Sequence, residues 1–298
     1  MATAAASSPT VFLLQYADDF PHPPVDPAIA QAAALLGEAD GLIVTAGAGM
    51  GVDSGLPDFR GNAGFWHAYP ALAEAGIDFT RIANPAAFVR APRRAWGFYG
   101  HRLALYRDTA PHAGFAVLRA LGATMPAGAF VVTSNVDGQF QKAGFAPERV
   151  LEIHGSIHRL QCLEPCHDAV WPADAVVPEI DARRCEWTGA ELPACPQCGG
   201  LARPNILMFD DGQWLSAPSD AQRRRFQVWR QKVEAPVVIE LGAGIDLPAI
   251  RHISTALDAP VIRINTRHPD LPAHRGVGIA AGAQQALLAL AAALGLAV

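Results

Sequence analysis

Short apolar runs, each stopped by small or polar residues, set the frame of this chain. Gly41-Leu42-Ile43-Val44-Thr45, Ala129-Phe130-Val131-Val132-Thr133, Val150-Leu151-Glu152-Ile153, Pro236-Val237-Val238-Ile239-Glu240-Leu241 and Val261-Ile262-Arg263-Ile264 have the length and β-branched content of buried parallel strands. Residues 28–39, 112–121 and 284–294 read as helices set among them. This alternation predicts an α/β fold on a Rossmann-like parallel sheet. Two stretches interrupt it. Residues 66–110 are helical in pattern, with Trp66, Phe88, Trp96, Phe98 and Tyr99 as apolar anchors, and read as a helical module inserted between the first and second units of the sheet. Residues 158–204 lose the sheet pattern, after which Asn205-Ile206-Leu207-Met208-Phe209 forms an extended apolar run expected to return to the main sheet. Residues 21–27 are too proline-rich for helix or central strand and read as an extended lead-in.

The strand ends carry the chemistry, because polar groups at the carboxyl ends of an open parallel sheet face its ligand crevice. After the first run comes Ala46-Gly47-Ala48-Gly49, where glycines let the backbone turn sharply and bring its amides to a pyrophosphate. A tight strand-to-helix turn is the blander reading. Pro57 then makes a long regular helix unfavourable, and the loop it opens sets Asp58, Phe59 and Arg60 beside whatever the turn binds. The second run ends in Ser134-Asn135-Val136-Asp137-Gly138. Asn135 and Asp137 lie two apart, so in an extended chain both side chains leave one face; an Asx turn satisfying its own backbone is the alternative. The third run ends at His154, whose imidazole titrates near neutral pH and suits a general base, although a structural histidine fits the position too.

Within residues 158–204, Cys162 and Cys166 are followed after a long loop by Cys195 and Cys198. Four thiolates from two knuckles suit a tetrahedral, closed, structural zinc site. Cys185 lies inside the loop as a possible substitute ligand, and buried free thiols are the metal-free alternative.

Taken together, GAGMGVDSGLPDFRG resembles the signature loop of the sirtuins, NAD-dependent protein deacylases, and TSNVDG and EIHGS resemble the second and third sirtuin motifs in the same order. The likeness covers about residues 29–296 and marks a divergent, bacterial-type member. It implies that residues 28–65, 111–157 and 205–298 form a Rossmann-like NAD-binding domain, with residues 1–27 as an N-terminal extension. The helical module, 66–110, and the zinc-binding module, 158–204, would form the small domain. It further implies NAD as co-substrate, contacted by Gly47, Ala48, Gly49, Asp58, Phe59, Arg60, Ser134, Asp137, Gly242, Ala243 and Asn265. His154 would be the general base, Asn135 would order the ribose or a water, and Leu207 and Phe209 would line a tunnel for the acyl-lysine of a protein or peptide substrate. The reaction implied is lysine deacylation with release of nicotinamide and O-acyl-ADP-ribose. The chain departs from the family pattern at Gly51, Ser134, Gly242-Ala243-Gly244 and Asp210, and the first three changes remove or shorten hydrogen-bonding groups of the NAD site. A NAD glycohydrolase or ADP-ribosyltransferase using the same pocket is the alternative, and a non-catalytic NAD or ADP-ribose module a third.

Composition narrows the partners. The 298 residues and 51% hydrophobic content are enough for a full core, and a net charge of -5 argues against binding nucleic acid through phosphate contacts. The run Arg223-Arg224-Arg225 reads as a solvated helix face. Five cysteines, four of them in close pairs, suit metal ligation in a reducing compartment. The apolar run Val11-Phe12-Leu13-Leu14 lacks preceding basic residues and supports neither a signal peptide nor a membrane helix, so a cytoplasmic location is expected. Composition and motifs leave the oligomeric state open.

Overall fold

The computed structural model describes residues 26–58 and 61–297, with residues 61–63 described by their backbone alone. Eleven strands run β1 (Gly41–Ala46), β2 (Ala129–Thr133), β3 (Val150–Glu152), β4 (Gly155–Cys162), β5 (Trp171–Pro172), β6 (Ile180–Asp181), β7 (Glu186–Trp187), β8 (Ala202–Ile206), β9 (Pro236–Leu241), β10 (Val261–Ile264) and β11 (Gly276–Ile279). The helices are α1 (Pro27–Gly37), α2 (Gly61–Ala68), α3 (Pro70–Glu74), α4 (Phe79–Ile82), α5 (Pro85–Arg90), α6 (Pro92–Asp108), α7 (Ala113–Thr124), α8 (Gln139–Lys142), α9 (Ala217–Arg230), α10 (Ala249–Ala256) and α11 (Ala283–Ala293).

Six of the strands form one parallel sheet in the order β11-β10-β9-β1-β2-β3. Every residue of β1 is buried. Leu42, Val44 and Ala46 pack with side chains of α1, α7 and α11, while Ile43 joins Trp229 of α9 and Ile250 of α10 on the opposite face. A strand covered on both sides has no solvent face to mark with alternating polar residues, which is why these runs are mostly apolar. Chain order reverses between β1 and β9: β2 and β3 extend the sheet one way, β10 and β11 the other. That reversal opens a crevice at the strands' carboxyl ends.

A second core gathers around α2 to α6, β4, β8 and the β6–β7 ribbon, with Trp96, Phe98, Tyr99, Ile157, Leu160, Trp187 and Ile206 buried together. The helical module and the cysteine-bearing segment therefore share one interior. Trp96 Nε1 donates to the Ala202 carbonyl at 2.9 Å, and Arg107 reaches the carbonyls of Ala173 and Val176 at 2.8 and 2.6 Å.

One sequence expectation is corrected here. The run at residues 205–209 does not return to the parallel sheet: β8 ends at Ile206 and pairs antiparallel with β4, which is flanked by β5 on its other side. An apolar run shows that a strand is buried but not which sheet buries it. The sheet also has a sixth strand, β11, that the apolar pattern does not reveal.

Candidate functional site

The loops after β1, β2, β3, β9 and β10 meet at the crevice. Gly47 follows β1, and its amide donates to the Leu241 carbonyl at the end of β9, while the Gly49 amide donates to the Gly242 carbonyl at 3.1 Å. Gly242 has φ +57°, and a Cβ there would stand 2.3 Å from the Gly49 carbonyl carbon. A Cβ on Gly47 would meet the Gly242 carbonyl oxygen at 2.9 Å. These glycines therefore let two loops touch at the β1–β9 reversal. The chain then winds through a 3₁₀ turn, Ala48–Ser54, which stops at Gly55 with φ 85°, ahead of Pro57 and the half-buried Asp58. Phe59 and Arg60 lie outside the described residues.

The end of β2 is tied to the same turn. Thr133 Oγ1 donates to the Ala46 carbonyl and accepts from the Asn135 amide, and Asn135 Nδ2 donates to the Gly47 carbonyl at 3.0 Å. The Ser134 amide donates to Ala46 as well. Asp137 is buried, and its Oδ1 accepts from the Gln139 amide at 2.9 Å, so the Asx turn forms while the residue also stands at the crevice loop. Burial pushes the Asp137 carboxyl up to about 6, with the bond from the Gln139 amide opposing and the nearby Glu152 charge reinforcing the rise. His158 Nε2 and the Asp137 carbonyl are 2.9 Å apart and fix that backbone.

His154 occupies the turn between β3 of the large sheet and β4 of the small one, half-buried. Burial holds its imidazole below the ordinary value, and a backbone hydrogen bond with Ser134 works against that shift. It is a neutral ring at neutral pH with a turn-borne, accessible position, as a base requires. Its carbonyl accepts from the Leu207 amide at 2.9 Å. Leu207 is 38% exposed, whereas Phe209 is half-buried, edge-on to Phe79 at 5.8 Å. The amides of Met208 and Phe209 are also engaged, by Asp211 Oδ2 and the Ala83 carbonyl. Asp210 has φ 54°, a left-handed conformation that suits glycine, and Asn84 Nδ2 reaches its carboxylate at 3.2 Å.

On the far side, Ala243 is buried and its carbonyl accepts from Asn265 Nδ2 at 3.0 Å, while Asn265 Oδ1 accepts from the amides of Arg267 and His268. Ala48, Gly49 and Gly244 remain open to solvent or half-buried, and nothing lies within 4 Å of where a Cβ on Gly244 would stand. The crevice thus keeps small residues at the loops where a pyrophosphate needs room, with an amide, a carboxyl and an imidazole gathered at the ends of β2 and β3. That donor and acceptor set fits a nicotinamide dinucleotide.

Cys162, Cys166, Cys195 and Cys198 converge, all four Sγ atoms lying within 4.8 Å of one another. The Sγ atoms of Cys162 and Cys198 are 3.7 Å apart, and those of Cys166 and Cys195 3.8 Å. The edge of a tetrahedron with Zn–S bonds of about 2.3 Å is about 3.8 Å. The residues fit a structural zinc ion. Cys185 is no ligand: it is buried with φ 51° against α6, where its carbonyl would lie 2.2 Å from a Cβ on Gly97.

Sequence reasoning missed Arg102 and the Arg203–Asp211 pair. Arg102 is buried among Phe98, Tyr99 and Tyr106, and its charge acts on Asp137. Arg203 and Asp211 are fully buried and joined by two bonds of 2.7 and 2.8 Å, bracing the loop that holds Leu207. A basic and an acidic residue eight apart carry no signal of pairing until the loop between them closes.

Crevice, parallel sheet and four-cysteine module define a nucleotide-binding α/β protein with a zinc-bearing small domain. Residues 47–245 match the Sir2 family. An NAD-dependent protein deacylase of Aquifex aeolicus is 31% identical over 227 residues, covering 75% of this chain and 82% of that one. NAD-dependent protein deacylase 1 of Pseudomonas aeruginosa is 33% identical over 246 residues, 79% of this chain and 88% of that one. A solved complex of a Sir2 homologue with NAD shares the fold at a TM-score of 0.65 and 22% identity, covering 88% of this chain and 92% of the other. The chain belongs to the Sir2 family.

Proposed function

We propose that this protein removes acyl groups from lysine side chains of proteins, consuming NAD and releasing nicotinamide and O-acyl-ADP-ribose. One observation carries the reading at the level of the site: Asn135 Nδ2 bonds the Gly47 carbonyl, drawing the second family motif onto the first, with His154 on the adjoining strand end. NAD supplies the glycosidic bond whose cleavage releases nicotinamide. Ala48, Gly49, Gly242 and Ala243 leave space for its phosphates, which Arg60 also borders, with Asn265 on the adenosine side and Asp58 and Phe59 beside nicotinamide. Asn135 orders the ribose or a water, and Asp137 accepts from the carboxamide N–H. His154, whose burial favours the neutral ring, takes a proton from a hydroxyl brought into the crevice. Leu207 and Phe209 flank the acyl-lysine, and an acylated protein or peptide is the partner. The sheet domain binds NAD and the small domain, made of the helical module and zinc module, closes the crevice.

No helix among the described residues is long and apolar enough to cross a membrane. Five free thiols, four of them set for metal, support a cytoplasmic location. The decisive assay is nicotinamide release by the wild type and His154→Ala, with and without a panel of acyl-lysine peptides. Release that depends on both peptide and His154 supports deacylation. Equal release without peptide overturns it in favour of a glycohydrolase, and NAD binding without release in favour of a binding module.

A further inference from the structure

Outside the crevice, α8 makes a set of contacts that the proposed reaction does not account for. This four-residue helix starts directly after the crevice loop, at Gly138 with φ 70°. It lies against the C-terminus of α6, the long helix of the small domain's core. A helix end leaves its last carbonyls without helical partners. Here α8 satisfies them. Lys142 Nζ donates to the carbonyls of Arg107 and Thr109 at 2.5 and 2.7 Å. Gln139 Nε2 donates to the carbonyls of Tyr106 and Thr109 at 3.2 and 3.3 Å. A cation at a helix C-terminus also meets the negative end of the helix dipole. Just past Lys142, the C-terminal end of α8 is also held by Arg119, whose Nη1 donates to the Ala143 carbonyl at 3.0 Å.

We propose that Lys142 is a positioning residue for the reaction: by tethering α8 to the end of α6, it sets where Asn135 and Asp137 stand in the crevice. The chain of contacts is short. The Gln139 amide, at the first residue of α8, donates to Asp137 Oδ1, and Asn135 lies two residues before Asp137. Lys142 itself is exposed and touches none of the crevice groups, so its influence runs through α8. Lys142 and Lys232 are the chain's two lysines among many arginines, so an ammonium at this place is an uncommon choice for this sequence. A compact ammonium can donate to two carbonyls at once from a single atom, whereas the flat guanidinium spreads its donors over a fork.

The proposal rests on Asn135 and Asp137 belonging to the site. Lys142→Met removes both bonds and the charge, Lys142→Gln keeps a donor without charge, and Lys142→Arg keeps charge and donors. In peptide-dependent nicotinamide release, Lys142→Met is expected to lose about tenfold in kcat with the peptide KM changed by less than about twofold, because the loss falls on alignment rather than on peptide binding. Lys142→Arg, which keeps the charge but spreads its donors over a fork, should recover part of kcat, and Lys142→Gln less. All assays run well below the melting temperature of each variant, checked by circular dichroism. Should Lys142→Met fail to fold, the Gln and Arg variants still rank the effect. Wild-type kcat in Lys142→Met or Lys142→Gln overturns the proposal, as does a fall in melting temperature with kinetics unchanged. Asn135→Ala separates the two readings: if it is fully active the site assignment fails, and if it is inactive while Lys142→Met is normal only the Lys142 proposal fails.

Discussion

Asn135 Nδ2 donates to the Gly47 carbonyl at 3.0 Å, so the second strand end is fastened to the first by one side-chain amide. Asn135→Asp replaces that donor with an oxygen facing an oxygen. Stability should fall by about 1 kcal/mol, the net value of one such bond. Turnover should fall far more, by about 10²-fold, since the crevice groups lose their alignment. Urea midpoints and nicotinamide release measure the two separately, and equal losses in both would contradict a role in the reaction.

Gly242→Ala tests the contact between the two glycine loops. The left-handed φ of +57° alone costs a residue with a Cβ about 1–2 kcal/mol, and the 2.3 Å approach to Gly49 forces the loops apart as well. The variant should melt lower and bind NAD more weakly by isothermal titration. Gly244→Ala, with nothing within 4 Å of its Cβ, is the control and should leave stability almost unchanged.

The pH dependence follows from burial of His154, which places its pKa below the ordinary imidazole value of about 6.5. A base must be neutral to accept a proton, so kcat/KM should stay flat above neutral pH and drop only as pH falls through that depressed value. The shift also bears on stability. A native pKa below the unfolded one means that the unfolded state binds more protons in the interval between them, so the contribution of His154 is complete above about 6.5 and is lost as pH falls from there. Asp137 acts with the opposite sign: its carboxyl, raised to about 6, favours the folded state increasingly as pH drops through that value. Denaturant melts of wild type, His154→Gln and Asp137→Asn from pH 5 to pH 8 resolve the two slopes.

Chelation should unfold the small domain first. Removing zinc leaves four thiols held within 4.8 Å, and a Cys195→Ser variant should lose metal by elemental analysis together with the near-UV signal of Trp96 and Trp187, which share the adjoining core. Cys185→Ser should keep its full metal content. A metal-free Cys195→Ser protein with wild-type stability would refute a structural role for the ion.

Asp211→Ala strands the Arg203 guanidinium in a fully buried site. Breaking a buried pair from one side costs about 3–5 kcal/mol, so the variant should rank among the least stable single substitutions. The double variant Arg203→Met with Asp211→Leu removes both charges and should recover much of that loss in thermal melts.

Much of this architecture is written locally. The runs that became β1, β2, β9 and β10 are visible because strands covered on both faces carry apolar residues at consecutive positions, the charged exceptions Glu240 and Arg263 pairing with each other at 2.6 Å between β9 and β10, and Gly55 and Pro57 end the turn after β1 where backbone chemistry demands. Asp210, one of the departures from the family pattern, adopts a left-handed backbone, the conformation that suits glycine. β11 stayed hidden because Gly276 and Gly278 dilute a four-residue edge strand to two apolar side chains. β8 was visible as a run, but its partner is fixed by the return from the cysteine knuckles, which no local pattern encodes. Lys142 gave no signal either: an exposed lysine on a four-residue helix is ordinary until the end of α6 arrives beside it. The cysteine spacing was legible as a metal site, and the convergence of four Sγ atoms, with Cys185 packed away against Gly97, showed which four of the five thiols form it.

The placement of β1 between β2 and β9 also dictates an order of assembly. Its pairing with β2 closes across the helical module, but Gly41 meets Pro236 only after the cysteine module and α9 have been made. A chain emerging from the ribosome must therefore hold a strand that is buried throughout in the finished fold with one edge bare through most of its synthesis. Such distant pairing slows folding and exposes a sticky edge, so this protein should fold slowly for its size and aggregate readily when truncated before residue 236.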